Sequence, residues 1–255
     1  MSPRQGSSLT RFSRQRKRCA VNASSLSYIL YEASIWVLPV IIAVTFHEVA
    51  HGVVANWLGD DTAYRLGRVN FNPLKHVDPI GTILLPALLL LARAPFLFGY
   101  AKPVPVNFAR LGHPKRDMVW VAAAGPGMNI LLAAASALLI HLAPLLPETV
   151  GPWVFHNLEN SVIINVLLAV FNMIPLPPLD GGRVLVGLLP HPLARPVARL
   201  ERWGMFILIA VLFILPMVGR ELHTDLNVMA WLISWPAEKL LEGILWLTGA
   251  SGFFS

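Results

Sequence analysis

Apolar residues fall in long uninterrupted runs rather than in the alternating or one-faced patterns of a water-soluble chain. The runs extend approximately from Tyr28 to Leu58, Ile80 to Leu91, Met118 to Leu142, Val162 to Leu176, Met205 to Val218 and Val228 to Leu247. Most are long enough, or nearly so, to cross a hydrocarbon layer about 30 Å thick as a helix. The pattern predicts an all-α polytopic membrane protein of about six transmembrane segments. The second run is short and contains Pro86, so it is expected to be re-entrant or broken, which would leave five spans. Between the first two runs, residues Thr62 to Asn72 (TAYRLGRVNFN) mix β-formers with patchy alternation, and a small β-hairpin is expected there. Pro236, beside Glu238 and Lys239, is expected to break the last segment.

Composition agrees with this class. Hydrophobic residues make up 55% of the 255 residues and charged residues 13%, with a mean hydropathy of +0.61. Residues 1–25 read as a basic tail, 26–202 as a membrane core and 203–255 as C-terminal transmembrane helices, without room for an appended soluble domain. The single cysteine, Cys19, lies in the tail, so the chain has neither an internal disulfide nor a Cys-rich metal site. The net charge of +6 does not call for a nucleic acid partner, because Lys and Arg collect in membrane loops. The stretch from Ala143 to Ser161 has none, whereas Gly181 to Arg202 has Arg183, Arg195, Arg199 and Arg202, which sets the first outside and the second inside. The first long run then travels inward. The basic tail, with Arg11, Arg14, Arg16, Lys17 and Arg18, pulls the other way.

Within that first run lies His47-Glu48-Val49-Ala50-His51. Residues four apart share a helix face, so both imidazoles can reach one metal ion. Glu48, one residue along, is placed to take a proton from a water activated by the metal and to hand it to a leaving amine. Ionisable groups are costly in lipid unless metal-bound, neutralised or facing a wet cavity, so three within five residues signal function. A catalytic zinc takes three protein ligands and keeps one position open. Asp180 is the best third candidate: it follows Pro175, Pro177 and Pro178, which end the preceding helix, and precedes Gly181 and Gly182. A metal transporter or a non-proteolytic metal-binding scaffold could also carry intramembrane His and Asp, but neither needs Glu48.

HEVAH near the end of one helix and NMIPLPPLDGG (Asn172 to Gly182) at the end of a later one resemble the site-2 protease family of intramembrane zinc metalloproteases. The likeness takes in Leu58-Gly59-Asp60, Asn72 to Pro79 (NPLKHVDP), Gly99 to Asn107 (GYAKPVPVN) and Ala124-Gly125-Pro126 with Asn129, in the order of its compact bacterial members without PDZ or CBS modules. It implies one Zn2+ per chain held by His47, His51 and Asp180, Glu48 as catalytic acid/base, and Asn129 binding the substrate backbone or polarising the scissile carbonyl. It further implies a multi-pass protein of the bacterial cell (inner) membrane. Its substrates would be membrane proteins, a single-pass helix or a remnant signal peptide, cut in or near the bilayer. A helical substrate must unwind to be cut, and an extended segment is held well by strand addition. Phe96 to Asn107, with Pro103 and Pro105 suited to an edge, or the Thr62 to Asn72 hairpin, is expected to supply that edge.

Overall fold

The computed structural model describes residues 26–91, 99–224 and 228–254. The basic tail, Cys19 and the Phe96 to Phe98 part of the expected edge lie outside them. The described residues form helices α1 (Leu26–Trp57), α2 (Thr62–Arg65), α3 (Leu85–Leu91), α4 (Pro114–Ile140), α5 (Gly151–Asn172), α6 (Asp180–Leu188), α7 (His191–Arg199), α8 (Glu201–Ile209), α9 (Leu215–Glu221) and α10 (Val228–Thr248). A wider helical turn, Pro79–Leu84, leads into α3, and another, Ala210–Ile214, joins α8 to α9. The described residues are built of helices, several of them long and apolar enough to cross a membrane, as expected.

Four stretches are long and apolar enough to span a membrane among the described residues: Ser27–Trp57, Pro114–Leu145, Gly151–Asn172 and Glu201–Glu221. The expected count of six, or five with a re-entrant second run, is thus matched by four among the described residues. The second apolar run folds into the short Pro79–Leu89 helix, about 17 Å at 1.5 Å per residue, too short to cross alone. The last run does form a helix, α10, of 21 residues. It continues through Pro236 instead of breaking there, and it carries Glu238, Lys239 and Glu242, with Lys239 Nζ 2.6 Å from Glu242 Oε2. The loop expected up to Ser161 is shorter, because α5 already begins at Gly151.

No strand occurs among the described residues, so the hairpin at Thr62 to Asn72 is a wrong expectation. Capping chemistry outweighs the weak alternation. The Asp60 carboxylate accepts from Thr62 N at 3.1 Å, Asp61 pairs with Arg65 one turn on, and Gly67 at φ +61 ends the turn.

The core is a bundle of α1, α4 and α5, with α6 packed on α4 and α10 on α5. Along α1, buried positions recur every fourth residue at Ile35, Pro39, Ala43, His47, His51 and Ala55, while Trp36, Val37, Leu38, Val40, Ile41 and Ile42 face outward. A four-residue row is the ridge by which helices interdigitate, and its small members let α4 and α5 close in. Pro39 cannot donate to the carbonyl of Ile35 four residues back. Asn160 Nδ2 on α5 supplies the missing donor at 2.8 Å. An orphan carbonyl in hydrocarbon would cost several kcal/mol, so this side chain repairs the helix from outside.

Candidate metal centre

His47 and His51 occupy consecutive turns of the buried row on α1, and Asp180 is the first residue of α6, turned toward them by the Pro-rich segment that ends α5. All three are buried, with relative exposures of 7%, 9% and 6%. His51 Nε2 lies 3.1 Å from His47 Nε2, and Asp180 Oδ2 lies 3.2 Å from His47 Nε2 and 3.4 Å from His51 Nε2. Three donor atoms bound at about 2.05 Å to a tetrahedral zinc sit roughly 3.3 Å apart. The triangle therefore has the dimensions of one face of such a site.

Protonation supports the same reading. His47 Nδ1 meets Asn129 Oδ1 at 2.6 Å and His51 Nδ1 meets the carbonyl of Val121 at 2.7 Å. Both partners only accept, so both Nδ1 atoms carry the proton, and in the neutral imidazole each Nε2 then presents its lone pair. Among the described residues Asp180 Oδ2 has no hydrogen-bond partner. Lone pairs crowded this closely in a buried site repel one another unless a cation lies among them. Zinc fits this set of two imidazoles and a carboxylate.

The opposite wall is Gly125 of α4. A Cβ there would stand 2.5 Å from both Nε2 atoms, so only glycine allows α4 to pass so close. Glu48 Oε2 accepts from the backbone N–H of Val104 at 2.8 Å. Val104 belongs to the chain from Gly99 to Asn107, which runs without helix past the C-terminal half of α1 and is tied down at several points. Tyr100 N donates to Gly81 O, Lys102 N to His76 O, and Arg68 Nη2 to Lys102 O, at 3.1, 2.9 and 2.9 Å. Asn107 N donates to Asp60 Oδ2 at 2.6 Å.

Asp60 is fully buried beneath this chain. Burial would raise its carboxyl, but the Thr62 hydroxyl and N–H, Asn107 N and the nearby Arg110 together hold it below its ordinary value. Gly59, at φ +107, makes the turn that brings Asp60 back under the chain.

The structure thus brings His47, His51 and Asp180 together, with Asn129 against His47 and Glu48 against Val104. Sequence reasoning missed the Val104 N–H, which has no letter of its own, and the contact made by Gly125. It also missed Asn165, whose signal was available as an amide inside the apolar run of α5.

The profile of Peptidase family M50 matches residues 148–215. The chain is 38% identical over 197 residues to "Putative zinc metalloprotease YwhC" of Bacillus subtilis (strain 168), covering 75% of this chain and 85% of that one. It is 27% identical over 180 residues to "Putative zinc metalloprotease Rip2" of Mycolicibacterium smegmatis, covering 71% and 66%. No solved structure matches it. By the relative that it follows over most of its length, and by the profile match across α5 and the Asp180 turn, the chain belongs to peptidase family M50, the site-2 proteases.

Proposed function

We infer that this protein is an intramembrane zinc metalloprotease that hydrolyses peptide bonds in or near transmembrane segments of other membrane proteins, within a bacterial cell membrane. The observation that carries the reading is the convergence of His47 Nε2, His51 Nε2 and Asp180 Oδ2 beside Glu48 on a membrane-embedded helix. These three residues would hold the zinc ion, which supplies Lewis acidity, polarising a peptide carbonyl and acidifying water.

The chain's own groups do the rest. Glu48 takes the proton of the attacking water and delivers it to the departing amine, so that a new C–O bond forms as the C–N bond breaks and the proton balance closes. The Val104 N–H holds one carboxylate oxygen of Glu48, leaving the other for that transfer. The chain from Gly99 to Asn107 lies alongside Glu48 and serves as the substrate edge, on which an unwound segment is held in extended form. Asn129 has its carboxamide committed within the protein, and we read it as support for His47 before any contact with substrate.

The reading is tested by stripping purified protein of metal and restoring zinc while following cleavage of a single-pass reporter. Cleavage should vanish and return with the metal. Cleavage that persists after complete stripping of the bound metal would exclude the mechanism.

A further inference from the structure

The acceptor that fixes His47 is itself held by a buried chain of amides with only one possible polarity. Asn129 Nδ2 donates to Asn165 Oδ1 at 2.7 Å and to the carbonyl of Ala43 at 3.3 Å. Asn165 Nδ2 donates to the carbonyl of Ser161 at 2.8 Å and to its hydroxyl at 3.2 Å, and Ser161 Oγ meets Ser136 Oγ of α4 at 2.8 Å. Both asparagines are completely buried.

Backbone carbonyls only accept, so the direction is set from the far end. Ser161 O requires the NH2 of Asn165, which turns Asn165 Oδ1 toward α4. That oxygen requires the NH2 of Asn129, which turns Asn129 Oδ1 toward His47, and that oxygen requires a proton on Nδ1. The lone pair of His47 is thereby left on Nε2, the atom that faces His51 and Asp180.

We propose that Asn165 is a positioning residue for the metal centre: acting through Asn129, it holds His47 in the tautomer and orientation that a metal ion needs. The proposal rests on the reading of His47, His51 and Asp180 as metal ligands. Groups that orient a ligand imidazole from behind change metal affinity about 10- to 100-fold when removed. A buried amide within an apolar helix costs free energy unless it is satisfied, and here every polar atom of the pair has a partner whose removal leaves another one orphaned.

The experiment is zinc affinity of the purified full chain in detergent, measured by competition with a chromogenic chelator, without reference to cleavage. Asn165→Leu, close in size but unable to accept from Asn129, should bind zinc about 10- to 100-fold more weakly. Asn165→Asp keeps an oxygen facing Asn129 but loses the donor to the Ser161 carbonyl, so its zinc affinity should fall between those of Asn165→Leu and wild type. Ser136→Ala, beyond the Ser161 carbonyl that sets the polarity, should leave affinity unchanged. A merely structural role would lower thermal stability in Asn165→Leu with zinc affinity intact, and that result overturns the proposal. Equal loss in Asn165→Leu and Asn165→Asp also overturns it. Should Asn165→Leu not fold, Asn165→Ala carries the same expectation. Failure of the underlying reading is distinguishable: wild type itself, or His47→Ala unchanged from it, would then show no zinc bound by these residues.

Discussion

Gly125→Ala places a single methyl carbon where the structure has no room for it. The added Cβ would stand 2.5 Å from the Nε2 atoms of both His47 and His51, against 3.4 Å for the shortest ordinary contact. Relief therefore demands a shift of about 0.9 Å, either of both imidazoles or of α4 against α1. Metal–ligand distances tolerate about 0.2 Å, so the triangle cannot keep its dimensions. Zinc affinity should fall by more than 100-fold, about 2.7 kcal/mol or more, and cleavage with it. Gly127→Ala is the matched control: it lies two residues along the same helix, and a Cβ there meets nothing within 4 Å. Removing a glycine from a helix interior is worth about 0.5–1 kcal/mol, so this variant should be at least as stable as wild type and bind zinc equally. The assay is chelator competition on both purified variants, with circular dichroism to establish that each is folded. A folded Gly125→Ala that holds zinc within threefold of wild type would refute the placement of α4 against the imidazoles. Equal loss in both variants would assign the effect to helix geometry instead of contact.

Three further outcomes follow from other contacts. Asn160→Ala should destabilise the protein by about 1–3 kcal/mol by orphaning the Ile35 carbonyl, and adding Pro39→Ala should recover part of this, since the substitution restores a backbone N–H that can donate to that carbonyl; thermal unfolding of both variants in detergent is the check. The depressed carboxyl of Asp60 contributes stability that is complete above the unfolded value of 3.8 and is lost as pH falls through its lower folded value, so an Asp60→Asn variant should be less stable at neutral pH and show a flatter loss of stability on acidification below about 3.8. Val106→Pro should reduce cleavage of a transmembrane reporter while bound zinc is retained, and unchanged cleavage would remove the Gly99 to Asn107 chain as substrate edge. Val104→Pro is not an equivalent test, because it also deletes the donor that holds Glu48.

What the sequence revealed and what it hid divide along physical lines. Metal chemistry demands particular side chains, so His47 and His51 could be picked out by their helical spacing and Asp180 by the prolines before it and the glycines after it, and the structure gathers them within one small triangle. Apolar run length likewise marked α1, α4, α5 and the α8–α9 stretch. The hairpin failed because alternation over a few residues is a weaker signal than Asp60 accepting from Thr62 N and Asp61 pairing with Arg65 one turn on. The break at Pro236 failed because a proline costs a helix one hydrogen bond and does not forbid it when neighbours compensate, as Pro39 and Asn160 demonstrate. The Val104 N–H, and the close pass at Gly125, depend on how distant segments meet, which no local pattern encodes. Asn165 lies between: its polarity in an apolar helix was visible, but its task emerges only once Asn129 is seen facing His47.

The central claim, hydrolysis by Glu48 beside a metal held by His47, His51 and Asp180, is tested most directly by one paired measurement. Purified wild type and Glu48→Gln are loaded with zinc, their bound metal is quantified, and each is incubated in detergent with a model transmembrane substrate. The account predicts equal zinc in both, cleavage by wild type, and a loss of about 10²- to 10⁴-fold or more in the variant. Equal cleavage by both proteins, or zinc held by both with no cleavage of any transmembrane substrate, would contradict it and return the metal centre to transport or scaffolding.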